Sequence, residues 1–207
     1  MVVRDGRQER AARKRAQILG AARALFVLDG YAATSMDAVV SKAGISKQTL
    51  YRYFPSKSDL LVSVLTDELI ADAPAQAPAA PLRTLDDVRT TLLLMARAIT
   101  ARLMMPESIE FFRMTLGEAI RVPEARLTLR RSVPSQLLAR AEGILRAGDD
   151  AGLIHAPRPD LSARMLIGPL FSFVALDGLL STTPPIPPGD DDITAIVDSF
   201  LLTVRAD

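Results

Sequence analysis

Five hydrogen-bond donors crowd into six consecutive positions, Lys47, Gln48, Thr49, Tyr51 and Arg52, with only Leu50 between them. Two are cations, and the others are an amide and two hydroxyls. Such a surface suits an anionic partner rich in acceptors. Cations and hydroxyls meet phosphate oxygens, while amide and guanidinium groups match the acceptors on base edges. To read bases, these donors must ride on something that enters a groove, and their neighbours supply it. Ser46 is an N-cap residue and Pro55 a stop signal, so a short helix is expected over residues 47–54. Ahead of it, a helix opening at the capping-box pattern Thr34-Ser35-Met36-Asp37 runs to Ala43 and stops at Gly44. Ile45 plugs the crossing, and Val39, Val40, Ala43, Leu50 and Tyr53 complete the inward-facing set. This is the layout of a helix-turn-helix. In its DNA-binding form the second helix lies in the major groove.

The charge distribution agrees. Residues 1–60 hold 11 Lys/Arg against 5 Asp/Glu, and residues 61–207 hold 14 against 19, so a net charge of +1 hides a basic head on an acidic body. A local anionic partner follows from that asymmetry. Other chemistries have little to work with. Cys is absent and His155, in an expected surface loop, is the single histidine, so thiolate nucleophiles, disulfides and His/Cys metal sites have no material. No phosphate-loop or dinucleotide fingerprint occurs, and Asp190-Asp191-Asp192 reads as an acidic helix start. No catalytic constellation, metal site or cofactor is therefore expected. A helical adaptor that binds proteins through apolar faces is the other alternative. Steeply salt-dependent duplex binding separates a DNA reader from both.

The elements that position the donors are all helical. Apolar residues make up 49 % of the 207, and strand-like alternation is absent, so the fold class is all-α. Residues 1–10 read as a basic arm, and a first helix follows from Arg10 to Leu28, ended by Asp29-Gly30. Ser56-Lys57-Ser58-Asp59 is a second capping-box match and opens a helix to Ile70. A Pro/Ala linker spans residues 71–81. Helices are then expected near 84–104, 107–119, 123–148, 160–181 and 190–205, with a kink or break at Pro134. The longest charge-free apolar run, Met165 to Leu176, is 12 residues, too short for a bilayer span. With no apolar signal core behind Met1, a cytoplasmic protein is expected.

A longer string is more specific than the hairpin. Ile18-Leu19-Gly20-Ala21-Ala22, Leu25-Phe26, Gly30-Tyr31, Thr34-Ser35-Met36-Asp37, Ala43-Gly44-Ile45-Ser46 and Leu50-Tyr51-Arg52-Tyr53-Phe54-Pro55-Ser56-Lys57 follow one another in order. This resembles the N-terminal domain of the TetR/AcrR family of bacterial transcriptional regulators, and the remainder has some likeness to the AefR-like C-terminal domains. The resemblance implies a helix-turn-helix DNA-binding domain over 10–70 and a helical effector-binding and dimerisation domain over 82–207. It gives Ser35 a phosphate contact as well as a cap, and places base and backbone contacts at Lys47, Gln48 and Thr49. Tyr51 and Tyr53 match aromatic positions against the sugar-phosphate chain, the second more commonly His, and Lys57 matches a phosphate-contacting lysine. Arg52 stands at a variable position and is the candidate for reading guanine.

The same resemblance implies a homodimer on a palindromic double-stranded operator, repression as the usual outcome, and a small-molecule effector. The segment 160–181 is apolar on more than one side, and a helix of that kind must be covered all round. Met165, Gly168, Phe173 and Ala175 are its candidate dimer contacts. Met95, Met104, Phe111, Met114 and Phe171 form a soft apolar set that could line a pocket for an apolar effector.

Overall fold

The computed structural model describes residues 6–70, 81–121, 123–131 and 133–205. Regular structure among them is helical, apart from one isolated antiparallel bridge between Ile154 and Arg205. The helices are α1 (Gly6–Asp29), α2 (Met36–Ala43), α3 (Lys47–Tyr53), α4 (Lys57–Ile70), α5 (Leu85–Leu103), α6 (Pro106–Arg121), α7 (Pro123–Arg131), α8 (Val133–Asp150), α9 (Pro159–Phe173) and α10 (Asp190–Thr203). A π-helical segment, Val174–Leu179, continues α9. The chain forms two compact units: Met1–Glu68 with Arg113–Ser132, and Leu69–Phe112 with Val133–Asp207.

Several expected boundaries shift, each for a local reason. Residues 6–10, expected in the arm, are the first turns of α1; Arg and Gln there are good helix formers. Residues 1–5 of the arm and 71–80 of the linker lie outside the described residues. The helix expected over 123–148 is two, α7 and α8, and Pro134 stands at the second position of α8. A proline is tolerated in a first turn, where its missing N–H has no partner to lose. In α2 the cap is Ser35, not Thr34: Ser35 Oγ accepts from Ala38 N at 3.0 Å, while buried Thr34 donates to Gly30 O at 2.8 Å.

In the first unit α1 packs on α2 and α2 on α3. Its buried residues include Ile18, Ala22, Phe26, Val39, Leu50 and Leu61. Gly44 ends α2 in the left-handed region at φ 59°, ψ 45°, as the sharp turn into α3 requires. Ser56 caps α4, accepting from Asp59 N at 3.0 Å and donating to its carboxylate at 2.7 Å.

In the second unit α9 lies against α8 and α10, and α5 against α8 and α10. A capping box at Thr84 starts α5. The backbone N–H of Arg83, with the Thr84 hydroxyl and N–H, holds the Asp87 carboxyl below its usual range. Bidentate pairs Arg89–Asp198 and Arg97–Asp190 fasten α5 to α10. The single helix expected over 160–181 departs from α geometry after Phe173, and Pro169 sits inside it. By length and apolarity the run Pro159–Leu179 could cross a membrane, longer than the charge-free stretch because it includes Asp160, Arg164 and Asp177. One face of it, with Ala163, Leu166, Leu170 and Val174, is buried in the unit, as in a core helix. Close packing falls on Gly178: a Cβ there would sit 2.5 Å from Ile109 Cδ1 and 3.2 Å from Met104 Sδ. Gly168 has open space around it. His155 is exposed, and its N–H donates to Val204 O at 2.7 Å beside the bridge.

Candidate nucleic-acid interface

A helix of seven residues needs outside support, and α3 gets it at both ends. Ser46 Oγ accepts from Thr49 N at 3.2 Å and lies 2.8 Å from Thr49 Oγ1. At the other end Phe54 N donates to Leu50 O at 2.9 Å, and the buried Phe54 ring anchors the exit. Leu50 is fully buried. With that one side chain inward, Lys47, Gln48, Tyr51 and Arg52 are exposed, and Thr49 and Tyr53 are half-buried. The Arg52 guanidinium lies over the Tyr53 ring, 5.5 Å from its centroid, a stacking that stiffens a long cation. Ser35 is exposed at the start of α2. The structure thus turns the donors outward together on one short, capped helix.

Two of the expected site residues have protein partners that composition did not announce. The Lys47 ammonium reaches the Asp37 carboxylate, at 2.8 Å from Oδ1 and 3.1 Å from Oδ2, and this partner raises its pKa above the usual lysine value. Lys57 Nζ donates to the carbonyls of Tyr31, Ala32 and Thr34 at 2.8, 3.1 and 2.9 Å and lies over the Tyr31 ring at 4.4 Å. Three acceptors match the three ammonium donors. Lys57 therefore ties the segment between α1 and α2, and with it Ser35, to the start of α4. Gln17, which no motif singles out, supports the same surface from α1. Its Nε2 donates to Ala43 O at 2.7 Å, which closes the end of α2 from α1. No sequence signal marks it, because its partner is a backbone carbonyl 26 residues away.

Lys57→Met keeps the stem and removes the ammonium. We expect the head to lose about 1–3 kcal/mol, the range for leaving part-buried carbonyls without donors. Calorimetric unfolding of the two proteins at the same pH checks it, and an unchanged Tm would leave Lys57 without this structural role.

The remaining expected residues lie elsewhere. Met95, Met104 and Phe111 are buried in the second unit, Phe171 is 38 % exposed there, and Met114 is half-buried in the 113–132 stretch. An apolar cavity of about 10 Å³ lies among Ile99, Leu103, Leu137, Ile167, Leu170, Phe171 and Val174. On the other side of α9 an open groove of about 390 Å³ runs between α9 and α10, lined by Met165, Pro169, Ala195, Ile196, Ser199, Phe200 and Thr203. Met165 is 47 % exposed, Gly168 is exposed, and Phe173 and Ala175 are half-buried. Among the described residues no cluster of His, Asp or Glu could hold a metal ion.

Residues 18–64 match the model of the bacterial regulatory proteins of the tetR family, and residues 90–205, more than half of the chain, match the AefR-like transcriptional repressor C-terminal domain. The chain belongs to the TetR family. Its fold is that of TetR-family regulators. The Flavonoid-responsive Regulator FrrA superposes with a TM-score of 0.66 at 28 % identity, over 94 % of this chain and 98 % of that one. Among curated relatives, the HTH-type transcriptional repressor KstR of Rhodococcus jostii is 51 % identical over 55 residues, 27 % of this chain and 26 % of that protein. The HTH-type transcriptional activator FasR of Mycolicibacterium smegmatis is 42 % identical over 82 residues, 38 % of this chain and 35 % of that protein. The matches thus span about a quarter to a third of these relatives. TetR-family proteins are DNA-binding regulators rather than enzymes.

Proposed function

We propose that the chain is a sequence-specific repressor, working as a cytoplasmic homodimer and released from its operator by a small apolar effector. Residues 10–70 would be the DNA-binding domain and 82–207 the effector-binding and dimerisation domain. The observation that carries this is the outward display of Lys47, Gln48, Tyr51 and Arg52 on a capped helix whose one fully buried side chain is Leu50. Thr49 and Tyr53 flank that surface. Ser35 completes the proposed DNA-contacting set from the start of α2, and Lys57, its ammonium held by the carbonyls of Tyr31, Ala32 and Thr34, serves that set by fixing the segment that carries Ser35. KstR's name favours repression and FasR's favours activation. A reporter fused to the selected operator, with and without the chain, decides between them.

Selection of bound duplexes from a random pool tests the reading directly. We expect inverted half-sites, because one short recognition helix per subunit contacts too little DNA for tight binding and two-fold symmetry doubles it. Arg52→Ala should then cost about 1–3 kcal/mol on the selected site and relax preference at one position. Equal losses on selected and scrambled duplexes would remove Arg52 from base reading.

The effector reading rests on the apolar interior of the second unit around Met95, Met104, Phe111 and Phe171. Of these only Phe171 lines the small cavity among Ile99, Leu103, Leu137, Ile167, Leu170 and Val174, which has room for about one water, so an effector must open the interior to bind. FrrA is described as responsive to flavonoids, which supports an effector of aromatic, weakly polar character. Release also needs a coupling, because a ligand with equal affinity for free and DNA-bound protein shifts nothing. Apolar compounds that bind tightly in calorimetry yet leave operator anisotropy unchanged would end this part of the proposal.

A further inference from the structure

Asp37 is the one acidic residue between Asp29 and Asp59, and it stands in the first turn of α2 beside the exposed donors. A carboxylate there opposes any approach to phosphate. It also spans ten positions of sequence to hold Lys47, at the first position of α3, through both of its oxygens. Both side chains are largely exposed, at 61 % for Lys47 and 70 % for Asp37, so the pair sits on the surface that would face DNA.

We propose that Asp37 is a specificity-determining residue of the DNA-reading surface, holding Lys47 away from indiscriminate phosphate contact and so weakening binding to non-operator DNA. The inference rests on the DNA-reading role proposed for α3. An ammonium has three donors. One hydrogen bond goes to Asp37 Oδ2 and the ion-pair contact to Oδ1 holds the ammonium against the carboxylate, which restricts the directions left to its other donors. A lysine held in this way reaches an acceptor only where the duplex places one at that spot. On any other sequence it must first leave Asp37, and the carboxylate stays behind, facing phosphates. The device discriminates by penalising the wrong partner as well as by favouring the right one.

Asp37→Asn tests this with little change of shape, and Asp37→Ser does so with a residue that also suits a helix start. Binding of the full chain is measured by anisotropy on the selected operator and on a scrambled duplex, from about 50 to 300 mM salt. Lys47 freed in either variant should add one phosphate contact on any sequence. Scrambled-duplex affinity should rise several-fold, its salt slope should steepen by about one, and the operator-to-scrambled ratio should fall several-fold. In a Lys47→Met background the same substitutions should have most of this effect removed.

Three results would overturn the inference. Both variants could keep the wild-type ratio. Both could bind the two duplexes more weakly with a lowered Tm, which would make Asp37 a helix-start residue only. The gain could also persist undiminished in Lys47→Met, which would make Asp37 a plain repelling charge. A wild-type chain that binds both duplexes alike would instead remove the proposed DNA-reading role of α3, and this inference with it.

Discussion

Met165→Glu is expected to give a folded monomer whose operator affinity is lower by about four to five orders of magnitude. Met165 is 47 % exposed on α9 and lines the groove against α10. Leu161, Phe171 and Leu176 leave further apolar surface uncovered on α9 and its π-helical extension. Pro169 adds to the groove, since it removes the N–H that would have bonded the Met165 carbonyl one turn back. A second copy covering this surface is the proposed dimer, and a buried unpaired carboxylate is among the costliest groups to place in such an interface. The magnitude comes from halving the DNA contacts. Specific dimers bind at about 10⁻⁸–10⁻¹¹ M, so one head with half that free energy falls to about 10⁻⁴ to 3 × 10⁻⁶ M, the range of non-specific binding. Analytical ultracentrifugation at micromolar protein, with circular dichroism to show retained helix, gives the first half of the result. A Met165→Glu dimer with undiminished operator affinity would move the interface off this face.

Leu50→Ala is expected to destabilise the head by about 2–5 kcal/mol, the range for emptying a fully buried leucine site. The loss at α3 is disproportionate to one side chain. Seven residues make too few internal hydrogen bonds to hold a helix in water, and Leu50 is the side chain of α3 that is fully buried. With total stabilities of about 5–15 kcal/mol, such a loss leaves a measurable fraction of heads without an ordered α3. Binding should fall on operator and scrambled duplexes alike, in contrast to Arg52→Ala. Hydrogen exchange of the amides of α2 and α3 reads the effect locally, and protection equal to wild type would show that α3 is held by something other than Leu50.

Short-range signals along the chain set the helix boundaries of the head. Gly44 after Ala43, Ser46 before Lys47, Ser56 before Asp59 and Pro55 after Phe54 act within three or four residues, through backbone conformation and capping, so the order of the head helices and the bounds of α2, α3 and α4 to within a residue were legible, while the start of α1, which has no such signal, was not. The family string over residues 18–57 was legible for the same reason, because side-chain types at fixed spacing carry it. Thr34 and Ser35 were ambiguous, since both fit a cap and only the backbone direction entering α2 chose Ser35. Partnership across distance came only with packing. Lys57 closes on carbonyls 23 to 26 residues away, Gln17 on Ala43, Lys47 on Asp37 and Gly178 on Ile109. Backbone carbonyls are present at every residue, and a long side chain can reach any of many, so no spacing in the chain marks the one it meets. Pattern therefore named the donors on α3, and packing determined which of them another residue already holds.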